Sequence, residues 1–178
     1  PLTAEAARSK PVAKKKPSIL VIGDSLSVGA SPYLKRRLGR RVQINAVRGR
    51  PSPEGLRVLR ARLRPHHRVV VFDLGSNDER IAGGVDQARP LLAANMRAAR
   101  KLAGPQRCLV VATLNPAHRE PLNEFIRRFA AHNRNVVLMD WRRTIARHPE
   151  YLIDAVHSTP EGYQVRARQL VETIRRCP

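Results

Sequence analysis

The sequence predicts an α/β domain, a three-layer sandwich in which a five-stranded parallel sheet of flavodoxin-like order 2-1-3-4-5 carries helices on both faces. Five short runs rich in β-branched residues are apolar almost throughout, as strands buried on both faces must be. Stretches of helical, amphipathic period alternate with them. A chain of 178 residues also suits a single domain with its own core.

Residues 1–17 (PLTAEAARSKPVAKKKP) combine three prolines, a lysine run and few large apolar side chains, and read as a flexible basic linker or tail. Residues 18–178 form one unit with no internal repeat. Its first strand is Ile19–Ile22, after which a helix opens at Ser25. Val42–Ala46 is the second strand, with a helix near 54–64; Val69–Leu74 is the third, with a helix over 86–103. The fourth strand is Leu109–Leu114. In 119–133, Leu122, Phe125, Ile126, Phe129 and Ala130 keep the i, i+3, i+4, i+7, i+8 spacing of a buried stripe. After the fifth strand, Val136–Asp140, residues 161–176 repeat that spacing with Tyr163, Ala167, Leu170, Val171 and Ile174. Right-handed crossovers between parallel strands then fix the strand order.

Sites in such sheets lie beyond the carboxyl ends of the strands, and three strand ends and one turn before the last helix carry chemistry. Gly23-Asp24-Ser25-Leu26-Ser27 ends the first strand. There a serine at a strand-to-helix turn can act as nucleophile beside free helix N–H groups, or Asp24 or Ser25 can simply cap the helix. Gly49, after the second strand, can bring a backbone N–H close to a reacting oxygen or be an ordinary turn glycine. In Gly75-Ser76-Asn77-Asp78 the Asn77 amide can donate to the same oxyanion or shape the loop. Asp154-Ala155-Val156-His157 places a base and its orienting carboxylate on one short turn.

These blocks resemble those of the SGNH, or GDSL-type, hydrolases over essentially all of residues 18–178. The closing Asp154-to-Tyr163 segment and Asp140-Trp141 strengthen the likeness, which is greatest to SGNH domains found alone or fused to bacterial envelope membrane acyltransferases. The resemblance implies Ser25 as nucleophile, His157 as base, Asp154 as its partner, and an oxyanion hole from the Ser25 and Gly49 N–H groups and the Asn77 side chain. Ser158 departs from the Pro or Leu of many members and bears on the pocket lip. Neither a cofactor nor a metal is implied.

Arg50, Asp78, Arg80, Asn115 and His118 follow strand ends and are candidates to line a substrate pocket, or else solvated loop residues. His66-His67 sits at the opposite edge and reads as a surface pair. Asp73, within strand three, reads as structural.

The 34 Lys and Arg outweigh 14 Asp and Glu, and residues 18–178 keep a net +16 after the five bases and one acid of 1–17 are set aside. Such a field favours polyanionic partners: nucleic acid, anionic lipid or an acidic envelope polymer. An arginine-rich bias spread evenly over the helix faces is the plainer alternative. Aromatic residues at 4% and no recognition motif argue against sequence-specific nucleic-acid binding.

Cys108 opens strand four and Cys177 ends the last helix, which can run back to the strands' amino ends. The two can form a disulfide, or be a buried apolar residue and a terminal thiol. A bridge would place the protein outside the cytoplasm, periplasmic or at the cell surface. The chain begins at Pro1, as in a processed form or part of a longer product, which leaves room for an upstream anchor or acyltransferase domain. Three functions follow: an esterase removing an O-acyl, such as acetyl, group from a carbohydrate or envelope polymer; an acyltransferase using the same triad; and a basic binding module without catalysis.

Overall fold

The computed structural model describes residues 18–178; the linker assigned to 1–17 lies outside the described residues. In chain order the elements are β1 (Ile19–Gly23), α1 (Ser25–Leu38), β2 (Val42–Ala46), α2 (Ser52–Arg62), β3 (Val69–Asp73), α3 (Asp78–Ala82) and α4 (Val85–Ala103). They continue as β4 (Cys108–Ala112), α5 (Glu120–His132), β5 (Val136–Met139), α6 (Trp141–Arg147) and α7 (Pro160–Arg175). The sheet runs β2-β1-β3-β4-β5 with every pairing parallel, the order expected from sequence. Gly23 is in register with both Ala46 and Asp73, which sets the turns after β1, β2 and β3 side by side.

Alternate residues of each strand feed two cores, because successive Cβ atoms point to opposite faces. Leu20, Ile22, Val70, Phe72, Leu109 and Val111 pack under α2, α4 and α5. Ile19, Val21, Val71 and Val110 pack under α1, α6 and α7. Short helices α3 and α6 were not expected: five and seven residues are too few to display a period. Asp140 makes α6 possible, accepting from the Arg143 N–H and from the Thr113 hydroxyl.

A polar spine crosses the second core. Asp73 accepts from the Ser27 hydroxyl at 2.7 Å and from Arg166 Nη2 at 2.6 Å, and the Arg166 guanidinium lies 4.9 Å from the centre of the buried Trp141 ring. Ser27 fits because residue 23 is glycine; a Cβ there would stand 2.1 Å from Ser27 Oγ.

Cys108 and Cys177 are joined as a disulfide, 69 residues apart in sequence, where α7 returns to the amino end of β4. The surface reading of His67 is corrected. Its side chain is fully buried, Nδ1 accepts from the Arg64 N–H at 3.0 Å, and Nε2 faces Gln43 Oε1 at 3.3 Å. Burial, with Arg and His neighbours, lowers its pKa to about 4 and keeps the ring neutral. No helix among the described residues is long and apolar enough to cross a membrane.

Candidate active site

At the carboxyl edge of the sheet, Asp24 caps α1 by accepting the Leu26 N–H at 2.9 Å, so the capping reading holds for Asp24. Capping leaves Ser25 at the first helical position, where its N–H has no intrahelical partner. Its hydroxyl points instead to His157, with Oγ 3.0 Å from Nε2. His157 Nδ1 lies 2.8 Å from Asp154 Oδ2, and Asp154 Oδ1 accepts the backbone N–H groups of Val156 and His157, each at 2.7 Å. Those N–H groups hold the Asp154 carboxyl down at about 2. An ionised Asp154 accepts a hydrogen bond from Nδ1–H, which keeps the ring proton on Nδ1 and leaves Nε2 free to accept from Ser25.

The turn carrying Asp154 and His157 is clamped at its base. Ile153 N–H donates to the His157 carbonyl and Thr159 N–H to the Tyr151 carbonyl, and the Thr159 hydroxyl caps α7 through the Gly162 N–H. Gly162 lies so close to Tyr151 that a Cβ would come within 2.3 Å of its carbonyl oxygen. Ser158 lies beneath this turn, buried and away from the cleft, and so does not form the pocket lip expected of it.

Asn77 sits across from Ser25. Its Nδ2 is 3.2 Å from both Asp24 Oδ2 and the Arg50 carbonyl oxygen, which fixes the amide at the cleft wall. Burial, with the nearby Asp73 charge, raises Asp24 to about 7. Gly49 adopts φ +73, a left-handed turn that suits glycine, and its N–H has no partner among the described residues. Its carbonyl accepts from Arg80 at 3.2 Å.

The cleft holds about 550 Å³. Ser25, His157 and Val156 form one wall, and Ser76 and Asn77 another. Glu79, Arg80, Gly83, Gly84, His118 and Arg119 close the far side. Glu79 is shared by His118 Nε2 and Arg119 Nε, each at 3.1 Å from Oε2, and these contacts lower its pKa.

Of the five strand-end candidates, Arg80 and His118 line the cleft and three do not. Arg50 is buried; its guanidinium donates to the Gly23 and Asn45 carbonyls and to Asn45 Oδ1 and pairs with Glu54, tying β1, β2 and α2 together. Asp78 is fully buried and accepts from the Ser52 N–H and hydroxyl, which fastens α3 to α2. Asn115 is buried, and its carbonyl accepts from Arg119. The missed lining residues Ser76, Glu79, Gly83 and Gly84 had one available signal, since 75–84 follows a strand end and closes on a glycine pair; Arg119 and Val156, which also line the cleft, lie outside that segment. No group of three or more His, Cys, Asp or Glu among the described residues is placed to hold a metal ion.

Residues 21–165 match the family model for the GDSL-like lipases and acylhydrolases. The chain belongs to the GDSL-like lipase/acylhydrolase family. It is an enzyme of the ester-cleaving, acylhydrolase type that this family model describes. A Bacillus subtilis (strain 168) protein named "Putative peptidoglycan O-acetyltransferase YrhL" is 27% identical over 170 residues, which cover 90% of this chain and 25% of that protein. The chain therefore spans about a quarter of that relative's length. Among solved structures, the catalytic domain of Streptococcus pneumoniae peptidoglycan O-acetyltransferase A superposes with a TM-score of 0.73 at 16% identity, covering 90% of this chain and 93% of that one. A GDSL-like lipase from Bacteroides thetaiotaomicron superposes equally well, at 0.73 and 21% identity over 96% and 93%. The two superpositions establish the shared α/β fold.

Proposed function

We propose that this acylhydrolase cleaves an O-acyl ester, such as an acetyl group, from a carbohydrate or cell-envelope polymer through an acyl-enzyme on Ser25. The observation that carries the reading is the continuous line of contacts Ser25 Oγ–His157 Nε2–Asp154 at 3.0 and 2.8 Å, open to the cleft. Ser25 Oγ attacks the ester carbonyl as His157 Nε2 takes its proton; Asp154 stabilises the imidazolium so formed. The developing oxyanion is received by the N–H groups of Ser25 and Gly49 and by Asn77, which gives over one of its two amide hydrogens. Collapse expels the alcohol, protonated by His157. Water, activated by the same base, then releases the acid and regenerates Ser25.

A sugar hydroxyl in place of that water makes the same machinery a transferase, and the names of the Bacillus and Streptococcus relatives favour that second reading. The disulfide supports action in an oxidising compartment outside the cytoplasm. The test is release of acetate from O-acetylated peptidoglycan fragments, with a chromogenic acetyl ester in parallel. Acetate release that Ser25→Ala abolishes supports hydrolysis, and acetyl transfer to an added oligosaccharide with no free acetate supports the second reading. Full turnover by Ser25→Ala would overturn both.

A further inference from the structure

Every helix that returns along the sheet ends at the amino edge of the strands, opposite the cleft. There the basic residues gather. The last turn of α1 and the turn after it expose Lys35, Arg36, Arg37, Arg40 and Arg41. Beside them, α2 and the loop to β3 expose Arg60, Arg62, Arg64 and Arg68. Lys101 near the end of α4, Arg134 before β5, and Arg175 and Arg176 at the end of α7 extend the same face. Among the described residues, the acid nearest in sequence to any of these bases is Glu172, three positions before Arg175 on α7. None of the ion pairs among the described residues uses any of these bases. The charge is therefore polarised along the strand axis, unlike the even spread that the sequence suggested.

Helix dipoles favour a base or two at each helix C-terminus. They do not account for Arg64, Arg68 and Arg134, which lie outside every helix, nor for Arg40 and Arg41 together, which crowd the single 3-10 turn after α1. An unpaired cluster of like charge costs the folded state stability through self-repulsion. We infer that this edge is a docking face for an anionic lipid bilayer, which holds the domain with its cleft turned away from the membrane.

Three features favour a bilayer among anionic partners. The bases come from helices on both faces of the sheet, so they form an end face that meets a plane more fully than a rod. Among the described residues the exposed large apolar side chains, Val47, Ile81 and Ile153, all lie between a strand's carboxyl end and the next helix that returns along the sheet, so the basic edge has none of them to insert and contact is electrostatic. The 19 residues of α4 span about 28 Å at the α-helical rise, which sets the cleft well beyond the Debye length of a surface touching the other end. The inference does not depend on the chemistry assigned to Ser25.

The experiment is co-sedimentation of the 178-residue chain with vesicles of one-third phosphatidylglycerol in phosphatidylcholine, against pure phosphatidylcholine. Binding is expected to the first and not the second, and is expected to be lost as salt rises from about 50 mM to about 500 mM. Each base near an anionic surface contributes roughly a fivefold gain in partition. The variant Arg36→Glu, Arg37→Glu, Arg60→Glu, Arg64→Glu is therefore expected to bind at least roughly tenfold more weakly. Arg143→Glu with Arg147→Glu, on α6 after the last strand, is expected to bind as wild type. Circular dichroism and turnover of a soluble ester verify that the variants are folded, and the salt series on wild type stands without them. Equal binding to both vesicle types, unaltered binding by the fourfold variant, or binding of a duplex oligonucleotide without binding of anionic vesicles would each overturn the inference.

Discussion

Arg166 and Asp73, ninety-three positions apart, meet in the core at 2.6 Å, and neither side chain is more than 3% exposed. The pair fastens α7, which starts just after the His157 turn, to β3, which ends just before Asn77. Removing one partner leaves the other as an uncompensated buried charge. Arg166→Met is therefore expected to destabilise the fold by roughly 3–5 kcal/mol. Replacing both, as Asp73→Asn with Arg166→Met, is expected to recover a good part of that loss. Urea unfolding of the two single variants and the double variant checks both; a double variant no better than the worse single one would show that the pair is not coupled.

Asn77→Ala is expected to lower kcat for a chromogenic ester by roughly 10²–10³-fold, the usual cost of one oxyanion donor. Fluorophosphonate labelling of Ser25 should fall less sharply. His157→Ala is expected to remove nearly all turnover, and Asp154→Asn most of it, because members of such a unit do not contribute independently. Unaltered kcat in Asn77→Ala would assign that residue to the loop alone.

Asp24 gives stability a pH dependence of definite sign. Its folded pKa of about 7 lies above the ordinary 3.8. The folded chain thus holds this proton more tightly, and the contribution present below about 3.8 is lost as pH rises through about 7. His67, lowered from 6.5 to about 4, acts oppositely: the unfolded chain binds more protons there, so stability rises between those values. Asp154 matters only as pH falls from 3.8 through about 2. Asp24→Asn keeps an acceptor for the Leu26 N–H and should remove the first slope alone. Urea midpoints from pH 4 to pH 8, wild type minus variant, are expected to show a difference that declines with pH; a flat difference would place Asp24 outside this linkage.

Reduction of Cys108–Cys177 is expected to lower stability by roughly 2–4 kcal/mol through the freer unfolded chain. The bridge lies at the amino ends of the strands and the cleft at their carboxyl ends, so turnover at low temperature should hardly alter. Unfolding with and without reductant, and thiol counting in denaturant, measure this.

The sheet was legible because its strands are buried on both faces and so read as unbroken apolar runs. Ser25 and Asn77 were legible because each stands just after a strand end, and Asp154 and His157 because they share the turn that leads into α7, whose start lies at the same edge of the sheet. Arg50, Asp78 and Asn115 occupy equivalent positions and turn inward. Position in a turn decides which edge a residue reaches, while the carbonyls and hydroxyls that meet it in space decide its direction. For Arg50 these are the Gly23 and Asn45 carbonyls, and for Asp78 the Ser52 hydroxyl, none adjacent in sequence. His67 escaped for the same reason, since its partner Gln43 comes from β2. The polarity of the basic residues emerged only once each helix had a direction.

The disulfide closes a covalent ring from residue 108 to residue 177. Asp154 and His157 lie inside that ring, whereas Ser25, Gly49 and Asn77 lie outside it. A protease that cuts any exposed loop within the ring opens the backbone without releasing a fragment. The half of the site that moves protons stays chemically attached to the half that bonds the substrate. An enzyme nicked there would keep its full mass until a reductant reached the bridge.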